Sequence, residues 1–407
     1  MAKDMEQRGN SKRSRSTRSV VLRVIDILMI PPAVILVLVV RLAAPVVLIR
    51  FGALIAERIG HFAANTERYL CMRDDGAYGK RVVDIFFCTT IVSNEQLKKM
   101  IGRVVCIFPF TRILDRVNRI IPGGKRHMVR LPLDRDIIGD CVKDIPHLAF
   151  TKEEIERGEI ALRAMGIPKD NSYMCLYMRD SSYLNAVLPG RNWNYHNYRD
   201  IKDVKSYLAA AEELTKRGYY VLRMGAIVKN PLDTLNPMVI DYATKFQTDF
   251  LDIYLCATCR FFLGSEGGLT SVARIFQRPI AWANCAVIEH VPMVGKDEII
   301  ITKKFKYRNT GRLLTYNAIV KSGIGLYMSG DQYEQAGIDV VDNTAEEIAA
   351  LAKEMDERLR LIWRSTKEDE ELQERFWSIF RRSSGLRGVI RTRVCTEFLR
   401  QNRELLE

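Results

Sequence analysis

The stretch LDIYLCATCRFFLGSEGGLTSVARIFQRP, Leu251 to Pro279, decides the fold. Apolar residues at Leu251, Ile253, Tyr254 and Leu255 sit close to helical spacing, so the stretch opens as a short helix. A compact apolar strand follows, Phe261-Phe262-Leu263, and then the turn Gly264-Ser265-Glu266-Gly267-Gly268. A second helix is expected from about Leu269 to Phe276, closed by Arg278-Pro279, and Ile280-Ala281-Trp282-Ala283 reads as the neighbouring strand. Glycines between a strand and a helix let backbone N–H groups approach an anion, and the helix dipole favours negative charge there. On spacing alone the same turn is equally an ordinary tight connection; it is neither a P-loop nor a G-x-G-x-x-G.

Working outward, the same rhythm recurs. Tyr173–Met178 (YMCLYM) reads as a buried strand, Ile201–Arg217 as a helix, and Tyr219–Leu222 and Val239–Ile240 as strands. Nearer the N-terminus, Val46–Phe51 is a strand, Gly52 to His61 a glycine-bearing loop, and Phe62–Leu70 a helix. Strands at Val82–Cys88 and Val104–Phe108 flank a helix at Asn94–Ile101. Strands alternating with helices predict an α/β protein with parallel, doubly wound sheets. With 407 residues, 47% of them hydrophobic, the chain can bury two such halves. The expected segments are 1–45 (basic arm and apolar segment), 46–165 (first half), 166–345 (second half) and 346–407 (C-terminal helices). The last begins at a capping box formed by Thr344 and Glu347. The loop Ile121–His127 is basic and is expected to face the space between the halves.

A net charge of +13 favours anionic partners. Nine cysteines at irregular spacing point to a reducing compartment, and Cys256-x-x-Cys259 lacks a second pair at a zinc-binding distance. The five histidines are scattered, so no metal is expected. Residues Met1–Arg23 carry seven Lys/Arg against two acidic residues, and the uncharged run Ile27–Val40 that follows is 14 residues long. That is short of the roughly 20 residues a spanning helix needs. A basic arm beside an apolar helix suits peripheral or monotopic attachment to an anionic membrane surface.

Ligands of open α/β sheets lie beyond the carboxyl ends of the strands. In the second half those ends carry Arg179, Arg223 with Gly225, Asp241 with Tyr242, and Gly264 to Gly268. Arginine offers paired donors that match phosphate oxygens, although either arginine could equally serve a surface ion pair. Glu266 is out of place for phosphate; it takes a hydroxyl or points away. Tyr195-His196-Asn197-Tyr198-Arg199-Asp200 is a dense polar and aromatic loop, suited to stacking on sugars or bases unless it is merely solvated.

The form F-[IL]-G-[ST]-x-[SG]-G-[LI] between two helices, here Phe262 to Leu269, resembles the donor-binding half of GT-B glycosyltransferases such as heptosyltransferases. With Tyr195–Arg199, Tyr220–Gly225 and Asp241–Ala243, the chain from about Val46 to Trp377 resembles a family of bacterial glycosyltransferases of surface polysaccharides. The resemblance implies two Rossmann-like domains facing a cleft and sugar transfer from a nucleotide-sugar donor to a glycan or glycolipid acceptor. It implies donor binding by Arg179, His196, Asn197, Arg223, Gly225, Asp241, Tyr242, Gly264, Ser265, Glu266, Gly267 and Gly268. The base of such enzymes often lies on the first glycine-bearing loop; His61 is the first choice here and Glu57 the second, with Arg58 and Asn65 holding the acceptor. Enzymes of this kind usually need no bound metal, so the resemblance implies metal-independent catalysis, with no cofactor and no nucleic-acid partner, at the cytoplasmic face of the bacterial inner membrane. Two other classes compete: a sugar-nucleotide 2-epimerase of the same architecture, and a non-enzymatic basic protein binding membrane or nucleic acid.

Overall fold

The computed structural model describes residues 28–89, 91–132, 145–290, 297–381 and 392–407; the basic arm Met1–Arg23 lies outside them. The chain opens with α1 (Ile30–Leu42), β1 (Leu48–Leu54), α2 (Ile59–Asp74), β2 (Val82–Cys88), α3 (Glu95–Ile101), β3 (Cys106–Ile107) and α4 (Thr111–Ile120). These strands form a small parallel sheet in the order β1-β2-β3, and Met128 bridges to Phe51 along the other edge of β1. Helix α5 (Lys152–Ala164) follows, opened by a Thr151 cap with Glu154 completing a capping box.

The second half contains β4 (Tyr173–Tyr177), α6 (Leu208–Lys216), β5 (Tyr220–Met224), β6 (Val239–Ile240), α7 (Asp249–Thr258), β7 (Phe262–Gly264), α8 (Gly268–Ile275), β8 (Ile280–Cys285) and β9 (Glu298–Thr302). After a short antiparallel pair, β10 (Lys304–Tyr307) with β11 (Ile338–Val341), come α9 (Ala345–Leu359), α10 (Lys367–Arg381), β12 (Arg393–Val394) and α11 (Thr396–Gln401). The large sheet has seven strands in the order β12-β9-β8-β7-β4-β5-β6, with every neighbouring pair parallel. The chain winds from β4 out to β6, then returns to lay β7 on the other side of β4. That reversal opens a crevice at the carboxyl ends of β4 and β7, the ligand position of open parallel sheets. All six residues of β8 are buried, as expected of a strand covered by helices on both faces.

Several boundaries differ from the sequence reading for physical reasons. Gly52 lies inside β1, paired with Phe86, and is a glycine because a Cβ there would meet Val129 Cγ1 at 2.6 Å; the loop is confined to 55–58, and the helix after it starts at Ile59. Helix α6 begins at Leu208 because the backbone of Ile201 donates to Arg179 O (2.9 Å) and that of Lys202 to Asp342 Oδ2 (2.8 Å), drawing the segment out of helical pairing. The basic loop after α4 is turned toward α1: Arg41 Nη1 donates to Pro122 O at 2.6 Å and Nη2 to Ile121 O at 3.0 Å. Residues 346–407 are built into the second half. Strand β12 extends its sheet, and Asp356 on α9 accepts from Arg217 (2.9 Å), Tyr219 (2.7 Å) and Arg360 (2.7 Å). Among the described residues, no helix is long and apolar enough to cross a membrane.

Candidate functional site

The Gly264–Gly268 turn is glycine-rich because chain approaches it from two sides. A Cβ on Gly267 would meet the Tyr177 ring at 2.3 Å, and one on Gly268 would meet Ile59 Cγ2 at 2.5 Å. Reciprocally, a Cβ on Gly60 would reach Gly268 Cα at 3.0 Å. The N-termini of α2, from the first half, and α8, from the second, therefore meet backbone to backbone. First-turn N–H groups of a helix have no partner within it and carry the positive end of its dipole. Two such ends converge on one floor, in a cleft of about 270 Å³ lined by residues of both halves.

Three arginines reach this cleft: Arg58, Arg179 and Arg199. Arg179 is only 7% exposed; its Nη1 pairs with the Asp200 carboxylate and donates to His196 O at 3.3 Å, while its backbone N donates to Ser265 Oγ at 2.9 Å. Arg199 lies 3.3 Å from Glu266. This contact accounts for a carboxylate inside a glycine turn: its charge is matched by the neighbouring loop. The aromatic loop is packed, not solvated. Trp193 and His196 stack at 6.2 Å with 10° between planes, Tyr195 tilts over His196, and Arg58 of the first half lies 5.7 Å from the Trp193 ring.

His61, on the first turn of α2, lines the cleft with Nδ1 3.4 Å from Asn65 Oδ1. Asn65 itself is fully buried behind it. Gly225, Glu266, Gly267 and Gly268 also line the cleft, whereas Gly264 and Ser265 lie buried just beneath. Other expected residues are placed elsewhere. Glu57 sits 3.9 Å from Arg191 and off the cleft wall. Arg223, 1% exposed, is turned inward: Nη1 donates to Asp241 Oδ1 (2.9 Å) and Nη2 to Asn230 O (2.8 Å). Tyr242 is buried with its hydroxyl on Asp252 at 2.8 Å, and Asn197 lines a second, adjoining cavity with Asp180 and Asp200. A strand-end position thus holds three outcomes that spacing cannot separate: cleft wall, buried support, or neighbouring cavity.

Sequence reading missed Tyr177, Tyr183, Asp252 and Trp282, all on the cleft wall. Asp252 had a visible signal, a lone acid inside the apolar run Leu251-Ile253-Tyr254-Leu255. It is 2% exposed and accepts from Tyr242 Oη and Gln247 Nε2, both at 2.8 Å. Burial pushes its carboxyl up to about 7, partly offset by those two donors. A carboxyl whose folded pKa exceeds its unfolded value favours the folded state when protonated. That advantage is intact below about pH 4 and is lost as pH rises toward 7. Asp252→Asn should remove this decline: between pH 4.5 and 7.5, wild type is expected to lose a few kcal/mol relative to the variant in urea unfolding. Parallel stability–pH curves would refute the raised value.

Among the described residues, one group has ligand atoms near enough for a metal ion: Glu67, Cys71 and His147, within 4.8 Å of one another. The fold assembles it although no spacing announces it. His147 is already held by carboxylates on both ring nitrogens, Glu67 at 2.6 Å and Asp74 at 3.0 Å.

No family model and no curated sequence matches the chain. Among solved structures it is similar to ADP-heptose lipopolysaccharide heptosyltransferase II of E. coli, at 11% identity over 62% of this chain and 90% of that one, with a TM-score of 0.36. It is also similar to a family 9 glycosyl transferase of Veillonella parvula, at 11% identity over 58% and 80% of the two chains, TM-score 0.37. A third similar structure is the dodecameric iron-containing glycosyltransferase TibC of enterotoxigenic E. coli, at 8% identity over 62% of each chain, TM-score 0.34. These are distant likenesses, and no residue role is carried over from them.

Proposed function

We propose that the chain is a glycosyltransferase that moves a sugar from a nucleoside-diphosphate sugar to a glycan or glycolipid hydroxyl. The observation that carries this reading is the meeting of two helix N-termini beneath arginines at the switch point of the parallel sheet. Such a floor suits a diphosphate, and the Tyr177, Tyr183 and Trp282 rings on the cleft wall suit a base or sugar ring. In the reaction the acceptor oxygen would bond to the anomeric carbon as the bond from that carbon to the phosphate oxygen breaks. His61 would take the hydroxyl proton: an Nδ1–H directed at Asn65 leaves Nε2 as the acceptor. Arg58, expected from the resemblance to hold the acceptor, is reassigned here: with the helix ends it would meet the charge on the departing diphosphate, so the reading needs no metal.

The test is a thermal-shift panel of UDP-, GDP-, ADP- and CMP-linked sugars, in EDTA, on wild type and Arg58→Gln. A ligand at a hundred times its Kd stabilises the fold by about 2.7 kcal/mol. One nucleotide class should raise the wild-type Tm by several degrees, with at least about tenfold more ligand needed in the variant, the cost of a lost charge-assisted hydrogen bond. If no nucleotide class shifts the wild type, the reading fails; a shift that disappears in EDTA and returns with a divalent cation overturns metal independence.

A further inference from the structure

Helix α1 is apolar on both faces but buried on only one. Ala33, Val37 and Val40 pack, with Phe51, Leu114 and Val117, into a small core between α1, β1 and α4. The opposite face, at Leu28, Ile35, Leu38, Val39 and Leu42, is 46–81% exposed, and Val46 just beyond is 74% exposed. These positions recur at helical spacing, so they form one stripe turned away from the protein. A helix hydrophobic all round belongs in an apolar medium. At 13 residues α1 is too short to span one.

The surroundings identify that medium. Helix α4 lies alongside α1, and Arg41 at the end of α1 fastens the two by donating to Asn118 O at 3.0 Å and Ile121 O at 3.0 Å. The exposed charged residues of α4 and the turn after it are Arg112, Arg116, Arg119, Lys125 and Arg126, with the apolar Phe108 (57%) just before the helix and Ile120 (74%) at its end. An apolar stripe bordered by cations is complementary to the acyl and headgroup layers of an anionic bilayer. A soluble partner protein would have to offer a flat apolar face rimmed with acid. We propose that the joined outer faces of α1 and α4 dock the protein in the plane of an anionic lipid monolayer, with α1 lying at the headgroup–acyl boundary. The proposal does not depend on glycosyl transfer: it is read on lipid, and the transfer reading on nucleotide.

The test is flotation of the full chain with vesicles of phosphatidylcholine alone or with 30% phosphatidylglycerol, for wild type, Ile35→Glu/Leu38→Glu/Val39→Glu, and Arg112→Glu/Arg116→Glu. Wild type should float with the anionic vesicles. The apolar variant should lose more than about tenfold in partitioning at either composition, since three inserted side chains are replaced by charges. The arginine variant should lose about tenfold on anionic vesicles only, and less at high salt. Leu38→Trp, which keeps the stripe apolar, should show fluorescence quenched by brominated acyl chains beyond the wild-type signal. Wild type that stays in solution with both vesicle types overturns the proposal. So does a wild-type dimer that the apolar variant splits while flotation is unchanged, because the stripe then meets a second copy. Unchanged flotation of the apolar variant, with no extra quenching in Leu38→Trp, assigns any binding to residues outside the two helices and also overturns it.

Discussion

Replacing Arg223 with Met should destabilise the protein by about 3 kcal/mol or more, although the residue lies beside the cleft and not on its wall. Arg223 and Asp241 are 1% and 4% exposed, and their hydrogen bond at 2.9 Å ties β5 to the end of β6. Removing the guanidinium leaves a buried carboxylate that retains only the Leu232 N–H and the Thr244 hydroxyl, each at 2.9 Å. The loss is that of an uncompensated buried charge, not of one hydrogen bond. Two measurements separate support from substrate contact. Urea unfolding should show the full loss in Arg223→Met and recovery of much of it in Arg223→Met/Asp241→Leu. Nucleotide-sugar affinity of the folded double variant should stay within a few-fold of wild type. A double variant that is as stable as wild type but no longer binds nucleotide would return Arg223 to the donor site.

His61→Ala carries the largest expected effect on turnover: a fall in kcat of about 10² to 10⁴, the range for loss of a general base. Under the proposed function donor affinity should hardly move, because His61 on the cleft wall would meet the acceptor hydroxyl while the diphosphate would be met by backbone and arginine. Glu57→Gln should leave kcat within a few-fold, since Glu57 lies off the wall beside Arg191. The reverse ranking, with Glu57 essential and His61 dispensable, would require that loop to rearrange when substrate binds.

Much of this was legible in the sequence, and the limits were physical. The stretch around Gly264–Gly268 announced strand, turn and helix because its residues act locally, and β7 and α8 fall within a residue or two of their expected positions. The direction in which Arg223 points was not legible: a strand-end arginine can turn up to a ligand or down to Asp241, and that choice is fixed by burial across 18 residues of sequence. Gly52 read as a loop glycine because what requires it, Val129, is distant in the chain. The Arg199–Glu266 contact and the Glu67–Cys71–His147 group are likewise products of tertiary structure. The capping box at Thr344 came out as read because it is complete within four residues.

The contact between Gly60 and Gly268 has a further consequence for anyone reshaping the cleft. A side chain on the wall belongs to one half and alters one contact. A methyl group at either glycine presses on the opposite half, at 3.0 Å in one direction and 2.5 Å in the other, and so resets the spacing of every pair of groups facing each other across the floor. Positions 60 and 268 are a single design variable, shared between the two halves and assignable to neither.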